Sequence, residues 1–199
     1  MRTTLIAVLA GLAMIGTSVP IDAAENVKVN PAVELPGVVK MALKAMPKSE
    51  PISVGEIVAV SDTDAVVVEY FKLFPGATQE QLEMAKMKVR QMAAFTLGNS
   101  FPIYVNVKSK MLRQMEASYR EGQSVWSRAM SAVLCHERLH AFGEQDEGVA
   151  YDHGIAVLDD LFRKGHLAGA EAFYFAVKRQ AAEFKAKSSE APKVVLAFK

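Results

Sequence analysis

His136 and His140 stand four residues apart, with Glu137 directly after the first, in the stretch LCHERLHAFGEQDEGVAY from Leu134 to Tyr151. That spacing on a helix sets both imidazoles on one face, a turn apart, where each can bring a nitrogen to about 2.0–2.1 Å from a single zinc ion. The neighbouring residues supply the helix. From Ser124 to Gly143 a polar stripe of Ser124, Ser127, Arg128, Ser131, Cys135 and Arg138 faces away from Trp126, Ala129, Met130, Ala132 and Val133, and this apolar side runs on into His136, Glu137 and His140. Three ionisable groups therefore point inward. Burying them unpartnered is costly, and a metal with its water is the simplest compensation. The plainer alternative, hydrogen-bonded core histidines, leaves the inward Glu137 unexplained.

The run H-E-x-x-H resembles the signature of the zincin-type zinc metallopeptidases. The resemblance implies zinc as cofactor, a peptide or protein as substrate, and Glu137 as the general base that takes a proton from an activated water and returns it to the leaving group. It also implies a third protein ligand. With Gly143 and Asp146 the motif extends to H-E-x-x-H-x-x-G-x-x-D, similar to the metzincins in their snapalysin-like form, which would make Asp146 that ligand. Metzincins also carry a methionine turn after the motif, whereas none of the ten methionines here lies beyond Met130. The gluzincins instead take a glutamate from the start of a second helix. Glu147, Tyr151, Gly154, Leu158 and Leu161 share one helical stripe, while Asp146 aligns with Ala150, His153, Val157 and Asp160. Glu147 thus faces the core, Asp146 occupies an N-cap position and Gly143 breaks the preceding helix. Glu147 is favoured as third ligand and Asp146 is the alternative. Tyr151 and His153 are the nearest candidates for supporting the ligands or the transition state, Tyr151 also fitting a core position.

Residues 1–23 read as a signal peptide: Arg2 provides a positive start, Leu5 to Ile15 an apolar run, and Ala23 and Ala24 a small-residue cleavage site. Residues 24–199 then form one domain, exported to the periplasm or secreted. No other stretch is long and apolar enough to span a membrane once the leader is removed. The one cysteine, Cys135, excludes an internal disulfide, and its place on the polar stripe argues against a ligand role. A net charge of +1 argues against electrostatic binding of nucleic acid or acidic lipid. No glycine-rich phosphate loop, G-x-S-x-G elbow or C-x-x-C pair competes with the histidine motif.

The remaining elements must position that motif. A short helix is expected over Val38–Met46, and Glu56–Ser61 with Ala65–Tyr70 reads as a β-hairpin turning at Asp62, Thr63 and Asp64. Thr78 and Gln81 open a capped helix expected to run to Leu97, with Met84, Met87 and Met92 filling the core. Pro102–Val107 is a strand, Lys110–Gly122 a helix, and further helices cover Glu147–Arg163 and Leu167–Lys187, before a tail at Val194–Phe198. The fold class is α+β: a mainly helical, zincin-like domain with a small sheet packed on the motif helix. Under the resemblance Ile103–Val107 is the sheet edge along which a peptide pairs; otherwise it is an ordinary internal strand. The second functional reading is a non-catalytic exported protein that keeps a metal for stability or uses the fold to bind a partner. Glu137 separates the two, because a structural site has no use for an acid beside its ligands.

Overall fold

The computed structural model describes residues 33–47, 52, 57–74, 76–98 and 101–190. The expected leader over 1–23 and the tail at Val194–Phe198 lie outside them. The described chain is α+β, with seven helices and one three-stranded sheet among the described residues. Helix α1 covers Gly37–Ala45, strand β1 Ile57–Val60, α2 Thr63–Phe71, α3 Gln79–Gln91, β2 Ala94–Phe95 and β3 Ile103–Asn106. Four helices follow: α4 over Lys110–Arg120, α5 over Val125–Ala141, α6 over Glu147–Arg163 and α7 over Glu171–Glu190.

Helix α5 is the axis of the packing. It is buried nearly all round, with α1, α4 and α6 against it and the β2–β3 side of the sheet completing its shell. The polar stripe is covered along its middle, where Ser127 and Ser131 are buried and Cys135 is fully so, while Ser124 is exposed and Arg128 and Arg138 are half-buried. The two serines achieve this without loss because each hydroxyl donates to the carbonyl three residues back, Ser127 to Ser124 and Ser131 to Arg128, both at 2.7 Å. Small side chains with self-satisfied polar atoms let a neighbouring helix close on a face that composition marks as polar.

The hairpin expected between 56 and 70 is half right. Residues 57–60 form a strand, but Thr63–Phe71 is a helix. Asp62 caps it, accepting from the Ala65 N–H at 3.0 Å, and Val66, Val67, Tyr70 and Phe71 bury one helical face. Its valines suit a strand, yet the spacing i, i+1, i+4, i+5 suits only a helix, and the cap decides. β1 pairs instead with β3 in parallel, Ile57 opposite Ile103. Helix α3 opens with the expected capping box of Thr78 and Gln81 but stops at Gln91, six residues early. The Asn106 side chain donates to the Val89 and Arg90 carbonyls at its end, and Ala94–Phe95 leave to pair antiparallel with β3. Of its methionines only Met92 is in the core; Met84 and Met87 are exposed. Helix α7 begins at Glu171 rather than Leu167, because Gly165 and Gly169 hold positive φ of 68° and 90° in the connecting turns.

The strand order β1-β3-β2 makes β3 central. Ile103–Val107 is therefore the internal strand and not an edge. Its residues alternate as the pleat requires: Ile103 and Val105 join the core around α5, while Tyr104 joins the cluster under α2 and α3 with Val67, Tyr70, Phe71 and Phe95. A strand buried on both faces reads as a continuous apolar run, which is why PIYVNV could not reveal its rank in the sheet. No helix among the described residues is long and apolar enough to cross a membrane.

Candidate metal centre

His136 and His140 project from α5, and the turn after it brings α6 back beside them. The turn is built locally. Phe142 bonds back to the Arg138 carbonyl, Gly143 takes φ 100°, and the Asp146 carboxylate caps α6 by accepting from the Gly148 and Val149 N–H groups at 2.7 and 3.3 Å. Asp146 is exposed in that role. Glu147, the next residue, is buried and turned to α5. It is Glu147, and not Asp146, whose carboxylate meets the histidines: Oε1 lies 3.3 Å from His136 Nε2 and Oε2 lies 3.2 Å from His140 Nε2. One nitrogen or oxygen from each of the three residues lies within 4.8 Å of the others, a spacing that can hold a metal ion. Close approach of the two helices depends on Gly154, where a Cβ would sit 3.4 Å from both the Ala132 carbonyl oxygen and His136 Cβ.

Proton placement is set by the partners. His140 Nδ1 is 2.7 Å from the Glu144 carbonyl oxygen, which can only accept, so Nδ1 carries the proton and in the neutral ring Nε2 presents its lone pair toward Glu147. Although both Nε2 atoms are within 3.3 Å of carboxylate oxygens, neither makes a hydrogen bond. Both nitrogens thus stand beside the carboxylate with no hydrogen bond of good geometry to it, and all three side chains bring a ligand atom within reach of one ion. Burial pulls the His140 imidazolium down, but the Glu147 carboxylate, the Glu137 charge and the Glu144 carbonyl outweigh it and lift the pKa to about 9 in the metal-free protein. A metal ion held by the three would do the same electrostatic work without a proton. Buried donor nitrogens left without hydrogen bonds, next to a carboxylate, are the observation that fits these residues to a metal ion.

Glu137 is 1% exposed and reaches from α5 to the end of β2, where Oε2 accepts the Thr96 N–H at 3.0 Å. Its Oε1 makes no hydrogen bond. Burial, partly offset by the neighbouring histidines, pushes this carboxyl up to about 7. Thr96 was invisible to sequence reasoning because a backbone N–H leaves no trace in residue identity; the only available cue was the glycine two residues on. That turn is fixed by the Thr96 hydroxyl, which donates to the Gly98 carbonyl at 3.3 Å, and by the Gly98 φ of 132°.

The other expected participants separate. Tyr151 lies against the His136 ring, centroids 5.2 Å apart, and is buried, so it occupies the core position and touches the site at once. Burial, with the charges of Glu147 and Glu137, holds its phenol well above the ordinary tyrosine range. His153 lies on the next stripe of α6 and lines a separate cleft between α1 and α6, shared with Ser131, Asp160, Lys164 and His166. No family model, curated protein or solved structure matches this chain.

Proposed function

We propose that the chain is an exported zinc-dependent hydrolase of zincin type that cleaves peptide bonds in peptide or protein substrates, with His136, His140 and Glu147 as ligands. The observation that carries this reading is the company Glu137 keeps: a buried carboxylate beside a buried His-His-Glu centre, one oxygen held by the Thr96 N–H and the other without a hydrogen bond. Zinc, when bound by the three side chains, supplies a Lewis acid and brings the pKa of a water to about 7. Glu137 then does the proton work. It accepts the proton of the attacking water at Oε1 and passes it to the departing amine, while Thr96 keeps Oε2 from rotating into its place. The Glu144 carbonyl fixes the His140 tautomer. The leader over 1–23, expected from sequence, supports action in the periplasm or outside the cell.

The test begins with metal content per chain, measured by elemental analysis of protein purified without added metal, beside His136→Ala. Stoichiometric zinc lost in the variant, followed by cleavage of a peptide library that falls at least about 100-fold in Glu137→Gln with zinc retained, supports the reading. A wild type that takes up no zinc sinks it. One observation favours the second reading, a metal held for stability alone: the three side chains are at most 8% exposed, which leaves a substrate little access to them. A hydroxamate titrated into the cobalt-substituted protein distinguishes them, since only an open coordination position lets it shift the visible spectrum.

A further inference from the structure

The two histidines are supported differently. His140 is oriented by a hydrogen bond from Nδ1 to the Glu144 carbonyl. His136 is fully buried, and neither ring nitrogen makes a hydrogen bond among the described residues. Metal-binding histidines almost always donate their second ring N–H to a partner that fixes the ring, and loss of that partner typically weakens the metal about 10- to 100-fold. His136 has rings around it instead. The His140 ring stands edge-on at 5.0 Å, Tyr151 stands at 5.2 Å and 65° on α6, and Tyr151 in turn packs on Phe184 of α7 at 5.5 Å. The residues next in sequence to these two, Asp152 and Lys185, form an ion pair, so α7 is pinned to α6 beside the column. With no Cβ at Gly154, α6 closes directly on His136 Cβ and leaves the ring little room except the slot the aromatics define.

We infer that the column His136–Tyr151–Phe184 does for His136 what the Glu144 carbonyl does for His140, and that Phe184 is a positioning residue that sets metal affinity from α7. The inference rests on the reading that the triad holds a metal and is independent of whether the protein hydrolyses anything. Phe184 is half-buried, so its truncation opens space on one face of Tyr151; the phenol relaxes into it and the His136 ring gains freedom to turn away from Glu147.

The experiment measures zinc affinity of the full chain by competition with a chromophoric chelator. Phe184→Ala is expected to bind about 10-fold more weakly, and Phe184→Tyr, which restores the ring, within about two-fold of wild type. Val177→Ala removes a buried α7 side chain outside the column; it lowers thermal stability but leaves affinity unchanged, as a purely structural role for Phe184 would not predict. Equal affinities for wild type and Phe184→Ala overturn the inference alone, as does an equal loss in Val177→Ala. A wild type that binds no zinc overturns it together with the metal reading. Should Phe184→Ala fail to fold, Phe184→Leu keeps the bulk without the ring; a loss of about three-fold supports the column, and wild-type affinity overturns it.

Discussion

The sheet end of this molecule and the α5–α6 end treat buried polar atoms in opposite ways. Around β3, Asn106 is buried with its donors and acceptor all used: Nδ2 serves the Val89 and Arg90 carbonyls, and Oδ1 accepts the Lys108 N–H. Ser109 caps α4 in the same economical way. At the other end, both ring nitrogens of His136, Nε2 of His140 and Oε1 of Glu137 are buried within two turns of one helix and make no hydrogen bond among the described residues. Among the described residues the sheet end satisfies these polar groups from the chain itself, whereas those of the His-His-Glu group could be satisfied by a metal ion. Among the described residues the exceptions gather at the end of α5, Arg138 Nε included, and at Glu147 beside it, so they have a localised reason.

The contrast can be broken in measurable ways. The largest effect belongs to the ligands. If the group binds zinc as proposed, His136→Ala or Glu147→Ala should abolish zinc uptake and with it the stabilisation that zinc would give the wild type, about 4 kcal/mol when free metal is a thousand-fold above Kd. Thermal unfolding with and without a chelator reads this directly; identical metal content in Glu147→Ala and wild type would remove Glu147 from the centre. Next comes the scaffold. Asn106→Ala strips two helix-end carbonyls of their donor and should cost about 1–3 kcal/mol in denaturant unfolding while zinc affinity stays put. If zinc affinity falls with it, the two ends are coupled and do not divide the work between them.

Smaller still is Gly154→Ala, which sharpens the boundary. Its methyl would sit 3.4 Å from the Ala132 carbonyl and His136 Cβ. The gain in helix propensity, about 1 kcal/mol over glycine, offsets the crowding, so overall stability should hardly move while zinc affinity drops several-fold. The smallest effect lies on the surface between α6 and α7. Asp159 accepts from the Tyr174 hydroxyl at 2.6 Å and from Lys178 at 3.1 Å, which hold its carboxyl below the ordinary aspartate value. A depressed folded pKa contributes stability that is present above the unfolded value near 4 and is lost as pH falls through the lower folded one. Asp159 is 38% exposed, so solvent screening keeps the contribution to a few tenths of a kcal/mol. Asp159→Asn should therefore flatten the acid side of the stability profile slightly and leave neutral stability nearly unchanged.

How much of this was legible depended on whether the signal was local. The motif helix, the Asp146 cap, the inward Glu147 and the capping box at Thr78 are set by residues within a turn or two of each other, and sequence spacing carried them all. Thr63–Phe71 misled because its valines favour strands, and only the Asp62 cap and the burial stripe betray the helix. The rank of β3 in the sheet is a matter of pairing across 46 positions between Ile57 and Ile103, for which a continuous apolar run has no notation. Around the His-His-Glu group the residue types were readable, whereas the Thr96 donor and the Phe184 ring against Tyr151 were not. One is main chain, and the other lies on a helix that looks merely amphipathic.

The connection from α5 to α6 has a consequence for how this chain can vary. Six residues separate His140 from Glu147, and each residue added to or removed from a helix start turns the rest of that helix by about 100°. An insertion of one directly after Asp146 would leave the cap intact, swing the carboxylate off the histidines and bring another side chain to face them. Between the Asp146 cap and Glu147 the chain therefore cannot gain a residue and keep both the cap and the carboxylate in place. The pattern H-E-x-x-H-x-x-x-x-x-x-E, with its gap fixed, is accordingly the fingerprint by which descendants of a common ancestor should be sought, even where every surface residue has drifted.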